Sequence, residues 1–458
     1  MPQAHADPAG PKLGLRVMRA RGGEPGRARG GEPGRAPVVF LQGGPGGTVR
    51  SFAQGGFAER YARLFERDVI LLEQRGNALS SPALDCGINP ANPASEAAFR
   101  ACTEKYAREG VRIEGFNTIE SAHDVDAVRR ALGVPKVLLW GGSYGAYLAA
   151  TVARLHPESV EALLLESPAL TGRPYRAFDQ FRRRGAKVDA FNAWLKDACA
   201  ANPTCAERYP AFDPAAEIGK LVESAKTMPV VLADGVLVDS EETMRAALTG
   251  ALYFVPNAVL LVRAVWHANR GELDAFLDGT TVRGRPARAY LGRAVSVDGI
   301  AYTTSNVVNC YDLTRNWTRE GLEAATEGLF EPDARVDVVE AYGELRRTCD
   351  ALPAPTVPQE ELAVPVSTAI PTLFLAGDLD HPTPVEDVIA DQPRFSRSQL
   401  VRFTCSGHGI EQSARDCFGS LVTRFFADPG APLDPQCAID RCSSSDLGAT
   451  TDLFIELR

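Results

Sequence analysis

The stretch KVLLWGGSYGAYLAATVARL, residues 136–155, decides how this chain folds. Its first five residues form an apolar run that predicts a buried strand, and the run from Ala146 to Leu155 predicts a helix. Between them lies the sequence GGSYG, residues 141–145, which has the pattern G-x-S-x-G. Small residues around the serine allow the strand to turn sharply into the helix, so that the serine Oγ projects above the sheet. Ser143 is therefore the candidate nucleophile, although a glycine-rich turn without chemistry would read the same way.

Similar apolar runs recur on both sides of this stretch, with helical patterns between them. They lie at residues 13–20, 37–42, 68–73, 136–140, 160–165, 371–376 and 399–403. Continuous apolar strands that alternate with helices are typical of a buried parallel sheet. The segment 168–365 interrupts the series and carries helical patterns near residues 178–200, 215–226, 241–267 and 336–347. We therefore predict one α/β domain whose sheet is interrupted by a helical cap.

The composition excludes two classes of function. The chain has 458 residues, and 49 Lys and Arg stand against 58 Asp and Glu, which gives a net charge of −9. This acidic balance argues against nucleic-acid binding, because phosphate contacts need a basic face. The most apolar long stretch, residues 246–266, is broken by Pro256 and carries Arg263, so no membrane span is predicted.

A serine hydroxyl becomes a nucleophile when a base takes its proton. In this architecture the partners follow the serine in the order acid, then histidine. Of the six histidines, His381 and His408 come after the interruption. His381 directly follows Asp378 and Asp380. If His381 were the base, no segment of chain would therefore remain between it and an acid at the end of an earlier strand. His408 lies in a glycine-flanked loop just past the run 399–403, so His408 is the predicted base.

The acid is expected just after the run 371–376. Asp378 and Asp380 both qualify, and Asp387 is a more distant alternative. We prefer Asp380, because the sequence PTP at 382–384 fixes a tight loop that could aim this carboxylate at His408. Its predicted role is to hold one imidazole tautomer and to stabilise the imidazolium, and Asp378 would then be a solvated loop carboxylate.

Two backbone N–H groups are predicted to form the oxyanion hole. One belongs to Tyr144, directly after the nucleophile, where the start of the helix aims N–H groups at a developing negative charge. The other is expected from the loop GGPGG at 43–47, where glycines let the backbone approach a substrate closely. Gly44 is the preferred donor.

Taken together, these motifs resemble the prolyl aminopeptidase and tripeptidyl aminopeptidase branch of the α/β-hydrolases. The resemblance is carried by GGPGG at 43–47, EQRGNALS at 73–80, GGSYG at 141–145, GDLDHPTP at 377–384 and GHG at 407–409. It implies the α/β-hydrolase fold, with the helical cap inserted between strands 6 and 7 of that fold and a TAP-like C-terminal part. The implied divisions are a core at 10–167, a cap at 168–365 and the rest of the core at 366–458. Gln42, Glu73 and Ala78 depart from the family's motifs, which puts the substrate preference in question.

The resemblance implies an exported serine aminopeptidase that uses Ser143, His408 and Asp380, passes through an acyl-enzyme and needs no metal or organic cofactor. Its partner would be a small peptide with a free N-terminus. The resemblance points to Asp312 as the anion that binds the substrate's ammonium, and Glu166 is a second candidate, although both could be ordinary surface carboxylates. A carboxylesterase with the same triad is the alternative function, and a catalytically silent binding protein is a third. The sequence does not address the oligomeric state.

Ten cysteines without any C-x-x-C motif favour disulfides in an oxidising compartment over a metal cluster or scattered buried thiols. The resemblance supports export, so we expect a secreted, periplasmic or cell-envelope protein. The chain begins MPQAHADPAG, without signal-peptide features, and we therefore expect this start to be internal to a longer precursor. Pairing by proximity along the chain, which does not fix the connectivity, gives Cys86–Cys102, Cys199–Cys205, Cys310–Cys349, Cys405–Cys417 and Cys437–Cys442.

Overall fold

The computed structural model describes residues 1–22, 35–88, 95–170, 176–225, 227, 230–232, 236–238, 251–253, 255–279, 281–282, 285–286, 299–328 and 332–439. The strands in these residues are β1 (Val17–Ala20), β2 (Val38–Leu41), β3 (Val69–Leu72), β4 (Val137–Gly142), β5 (Val160–Glu166), β6 (Val230–Leu232), β7 (Val236–Val238), β8 (Thr281–Val282), β9 (Arg285–Pro286), β10 (Thr372–Gly377) and β11 (Ser398–Phe403). The helices are α1 (Arg50–Gln54), α2 (Phe57–Phe65), α3 (Glu96–Arg108), α4 (Thr118–Ala131), α5 (Tyr144–Leu155), α6 (Arg176–Ala201), α7 (Pro203–Arg208), α8 (Pro214–Ala225), α9 (Val255–Ala268), α10 (Leu273–Gly279), α11 (Tyr302–Asp312), α12 (Arg319–Ala325), α13 (Pro332–Cys349), α14 (Val385–Asp391), α15 (Ile410–Ser413), α16 (Arg415–Ala427) and α17 (Gln436–Ile439).

Seven strands form one sheet in the order β1-β3-β2-β4-β5-β10-β11. All neighbouring pairs are parallel except β1 and β3, which are antiparallel. The central strands are buried on both faces because alternate side chains enter different cores: Trp140 packs with the helices on one face, and Leu139 packs with those on the other. This architecture confirms the predicted α/β-hydrolase fold with a mostly parallel sheet.

The cap lies between β5 and β10, the two strands between which the resemblance placed it; along the chain they are the fifth and the sixth strand of this sheet. It contains α6 to α13 and the two-stranded pairs β6–β7 and β8–β9. Among the described residues, α6, α8, α9 and α13 lie where helical patterns were predicted. The cap has a hydrophobic core of its own, which also includes Leu379 from the loop after β10. The cap therefore packs directly on the end of the sheet where β10 stops.

Four disulfides connect described cysteines, and three of them were predicted. These are Cys86–Cys102, Cys199–Cys205 and Cys310–Cys349. The predicted pairs Cys405–Cys417 and Cys437–Cys442 are wrong, because Cys417 is bonded to Cys437. The chain after α16 folds back, so that Thr404 at the end of β11 donates to backbone carbonyls of α17, and this brings Cys437 to Cys417. Cys405 is also disulfide-bonded, and Cys442 lies outside the described residues.

Candidate active site

Ser143 lies at the sharp turn between β4 and α5. Its φ of 55° is in the left-handed region, where a non-glycine residue is strained, and such strain is concentrated at functional sites. The two outer glycines of G-x-S-x-G are explained by close packing. A side chain at Gly141 would overlap the carbonyl oxygen of Gly145, and one at Gly145 would overlap the carbonyl of Leu41 on β2. The two glycines therefore allow α5 to pack this closely against the sheet beside Ser143.

The loop GGPGG after β2 runs beside the serine. A side chain at Gly43 would come within 2.7 Å of the Ser143 Cβ, so the loop backbone reaches the predicted nucleophile. Gly44 has a φ of 115°, which favours glycine, and the amide of Gly47 donates to the carbonyl of Gly43 at 3.0 Å. Tyr144 is the first residue of α5, where an N–H group has no partner within its own helix. The two predicted oxyanion donors thus lie on segments that flank Ser143.

The segment after β3 supports this glycine loop, which the sequence patterns did not reveal. The buried carboxylate of Glu73 accepts from the amide of Val49 at 2.8 Å and from that of Leu79 at 3.0 Å. The Asn77 side chain donates to the carbonyl of Gly47 at 2.9 Å. These bonds tie the loop to the end of the sheet. The sequence signal was the polar EQRGN run directly after an apolar strand.

His408 and Asp380 are in direct contact. The Nδ1 atom of His408 lies 3.0 Å from Oδ2 and 3.1 Å from Oδ1 of Asp380, so an imidazole with its proton on Nδ1 donates to the carboxylate and keeps Nε2 as an acceptor. Burial raises the pKa of the Asp380 carboxyl, but the charge that His408 carries when protonated and hydrogen bonds from His408 and Thr383 outweigh it and hold the pKa below its ordinary value. The carboxylate is therefore kept ionised beside the imidazole.

Thr383 holds the Asp380 carboxylate in place, a role that the sequence patterns did not assign to it. Its amide donates to Oδ1 at 2.8 Å, and its hydroxyl lies 2.8 Å from Oδ2 and 2.8 Å from the carbonyl of Ser167. The same hydroxyl is 3.1 Å from Nδ1 of His408. A polar residue between two prolines, three positions after the predicted acid, was the available signal.

The other candidates for acid and base take different positions. The carboxylate of Asp378 points to Arg402, with which it forms two hydrogen bonds of 2.9 and 3.1 Å. Asp387 lies buried in α14, and His381 packs edge-to-face on Tyr253. Among these residues, it is Asp380 whose carboxylate contacts His408.

The cap contacts the histidine loop directly. The ring of Tyr253 packs edge-to-face on His408 with 5.1 Å between the centroids, and the amide of His408 donates to the Tyr253 carbonyl at 3.0 Å. A side chain at Gly407 would overlap the carbonyl of Leu252. The cap residues 252–253 therefore fix one side of the loop that carries His408.

The two predicted substrate-binding carboxylates contact protein groups. Asp312, at the C-terminal end of α11, accepts a hydrogen bond from the Thr118 hydroxyl, which lies 2.7 Å from the hydroxyl of Tyr144. Glu166 accepts from Trp140 Nε1 at 3.0 Å and from the amide of Glu411 at 2.7 Å. Burial raises the pKa of each carboxyl, to about 7. Binding of a substrate ammonium by either residue stays a prediction, and these contacts do not supply support for it.

We expect Asp312→Asn to change stability in a pH-dependent way. Because burial raises the pKa of Asp312 from its ordinary 3.8 to about 7, the folded protein binds this proton more tightly than the unfolded chain does. The free energy of unfolding of the unsubstituted protein therefore loses a contribution as the pH rises between these two values, whereas the amide loses none. Urea unfolding measures this. The free energy of unfolding of Asp312→Asn, relative to that of the unsubstituted protein, should be higher at pH 8 than at pH 5.

The control is Asp350→Asn, since Asp350 is exposed and pairs with Arg346 on the surface. This control should show no such gain. An Asp312→Asn variant whose stability relative to the unsubstituted protein is the same at both pH values would contradict the prediction. A raised KM for unblocked peptides, with unchanged hydrolysis of esters, would instead support the role of Asp312 in binding an ammonium group.

Two further properties concern the described residues as a whole. No helix among them is long and apolar enough to cross a membrane. Within the same part of the chain, no group of three or more His, Cys, Asp or Glu side chains is arranged to hold a metal ion.

The chain is similar in sequence to known hydrolases and peptidases. A family model described as the alpha/beta hydrolase fold matches residues 36–207, and one described as TAP-like protein matches residues 336–437. The chain is 26% identical over 436 residues to the serine protease Hip1 of Mycobacterium tuberculosis, which covers 86% of this chain and 79% of the relative. It is 25% identical over 484 residues to the tripeptidyl aminopeptidase of Streptomyces coelicolor, with 96% and 82% covered. It is 29% identical over 161 residues to the proline iminopeptidase of Arabidopsis thaliana, with 34% and 33% covered.

Proposed function

We propose that this chain, a serine hydrolase that belongs to the α/β-hydrolase family, is an exported aminopeptidase that releases N-terminal residues or short peptides. The catalytic part of the proposal is carried by one observation. The His408–Asp380 pair and the strained Ser143 follow strands of the same parallel sheet at their carboxyl ends, beside a glycine loop and beneath a cap. This is the edge at which open α/β sheets bind their ligands.

In the proposed reaction Ser143 Oγ attacks the carbonyl carbon of the substrate while His408 Nε2 takes the hydroxyl proton. The carbonyl oxygen becomes an oxyanion, which accepts hydrogen bonds from the N–H groups of Gly44 and Tyr144. Asp380 keeps the imidazole in the reactive tautomer and stabilises the imidazolium. His408 then gives the proton to the leaving amine, and the C–N bond breaks to leave an acyl-enzyme.

Water completes the cycle. His408 takes a proton from the water as its oxygen attacks the acyl carbon, and the proton returns to Ser143 Oγ as the ester bond breaks. The balance is one peptide bond and one water consumed for one acid and one amine formed. The chain's own side chains and amides supply each of these steps.

Peptides are the proposed substrates because the long-range similarity is to proteins named serine protease and tripeptidyl aminopeptidase. The cap supports a restriction to short substrates, since its residues 252–253 lie against the His408 loop. Export is supported by the four disulfides of the described residues, because such bonds persist in oxidising compartments.

The test compares matched substrates that differ only at their N-terminus. We expect trialanine p-nitroanilide with a free ammonium to be hydrolysed with a much higher kcat/KM than its N-acetylated form. p-Nitrophenyl acetate measures the esterase alternative in the same assay. Hydrolysis of the ester alone, with neither amide cleaved, would refute the peptidase proposal and favour a carboxylesterase. The absence of labelling by a fluorophosphonate would refute both and favour a silent binding protein.

A further inference from the structure

Glu166, the last residue of β5, contacts the two parts of the protein that carry Ser143 and His408. Its side chain is 8% exposed. One carboxylate oxygen accepts from Nε1 of Trp140, three residues before the nucleophile on β4. The other accepts from the amide of Glu411, three residues after the histidine. A single carboxylate thus connects the nucleophile's strand to the start of the helix that follows the base.

The backbone around Glu166 adds further connections to the same elements. The amide of Ser143 donates to the carbonyl of Glu166 at 2.9 Å. The next residue, Ser167, has its amide bonded to the carbonyl of Leu375 on β10 and its carbonyl within 2.8 Å of the Thr383 hydroxyl. Residues 166 and 167 therefore touch the nucleophile, the histidine loop and the loop of the acid. The Glu166 side chain supplies the connection to the histidine loop.

The Glu166 carboxylate lies in an unfavourable electrostatic environment. Its described hydrogen-bond donors are neutral N–H groups, and the nearby Glu411 carboxylate is itself bonded to Tyr61 and Arg415. Burial and the charge of Glu411 raise the pKa of Glu166, although the bond from the Glu411 amide lowers it. Ionising a group here costs stability, and departures of this kind from favourable burial are expected at functional sites.

We propose that Glu166 is a positioning residue that fixes the distance between Ser143 and the loop of His408. The inference rests on the proposed function, because it needs the serine and the histidine to act together. Two N–H donors face this side chain, and the ionised carboxylate, which is the form that assays at pH 8 examine, offers one acceptor oxygen to each. Glutamine has the same shape but a single acceptor oxygen, so in Glu166→Gln one donor meets an NH2 group and one connection is broken.

The experiment compares Glu166→Gln with Glu161→Gln, which makes the same change at the other end of β5, where the side chain is 37% exposed and pairs with Arg67. We expect Glu166→Gln to lower kcat for trialanine p-nitroanilide and p-nitrophenyl acetate, and the rate of fluorophosphonate labelling, by about 10- to 100-fold, because a misplacement of about 1 Å costs that much. KM should change by less than about threefold. Glu161→Gln should match the unsubstituted protein.

Three outcomes separate the possibilities. Equal labelling and kcat in the two variants would overturn the positioning role. A raised KM for the unblocked peptide, with ester hydrolysis and labelling unchanged, would also overturn it and would indicate ammonium binding. If the unsubstituted protein is not labelled, the proposed function itself fails. Should Glu166→Gln not fold, Glu166→Asp is the second variant. Its carboxylate keeps both acceptor oxygens but is one methylene shorter, so it should not reach both donors. Labelling of Glu166→Asp at the rate of Glu161→Gln would overturn the proposal.

Discussion

Ser143→Ala is expected to lower kcat for trialanine p-nitroanilide by about 10⁶-fold, because removal of the nucleophile of a serine triad costs that much. Labelling by a fluorophosphonate should disappear, and mass spectrometry of the unsubstituted protein should find the label on a peptide that contains Ser143. The matched control is Ser159→Ala. Ser159 is buried at the opposite end of the sheet, where its hydroxyl donates to the carbonyl of His156. This control should keep full activity.

A second substitution at the same position separates catalysis from folding. Ser143 has a φ of 55°, and a non-glycine residue in this region is strained by about 1 kcal/mol or more. Ser143→Gly should therefore be as inactive as Ser143→Ala and yet unfold at a higher denaturant concentration than it. Residual labelling in either variant would contradict the assignment of the nucleophile. A glycine variant less stable than the alanine variant would contradict the strain at the turn.

The fold was predictable because its signals are local. Each central strand is a short apolar run, and a strand buried on both faces needs no pattern beyond that run. The turn at Ser143 was predictable for a similar reason, since Gly141 and Gly145 are required by contacts between neighbouring elements. The order of motifs along the chain then predicted His408 and Asp380 as base and acid, and the two side chains lie 3.0 Å apart in the folded protein.

What the sequence did not reveal depends on contacts between distant residues. Asp312 is buried against Thr118, which is 194 residues away, and Glu166 against Glu411, which is 245 residues away. The sequence alone does not distinguish such carboxylates from exposed ones, because burial is decided by the partners. The pairing of Cys417 with Cys437 was missed in the same way, since it depends on the return of the chain after α16.

Asp380→Asn is expected to lower kcat by about 10⁴-fold, because an amide no longer holds the imidazole in the reactive tautomer. The contacts of Asp380 explain why. Oδ1 accepts from the Thr383 amide, so the amide oxygen of the variant is retained there, and its NH2 group takes the place of Oδ2 beside His408 Nδ1. The imidazole then carries its proton on Nε2 and presents a donor to Ser143. Stopped-flow or steady-state hydrolysis of both the ester and the peptide amide measures the loss.

Asp378→Asn is a control two residues away with the same chemical change. The Asp378 side chain is 28% exposed and pairs with Arg402, and such a surface ion pair contributes little even to stability, so Asp378→Asn should alter kcat by less than about twofold. A large loss in Asp378→Asn together with retained activity in Asp380→Asn would reverse the assignment of the acid. Equal small losses in both would mean that neither carboxylate orients His408, and the reaction would then depend on Ser143, His408 and the oxyanion donors alone.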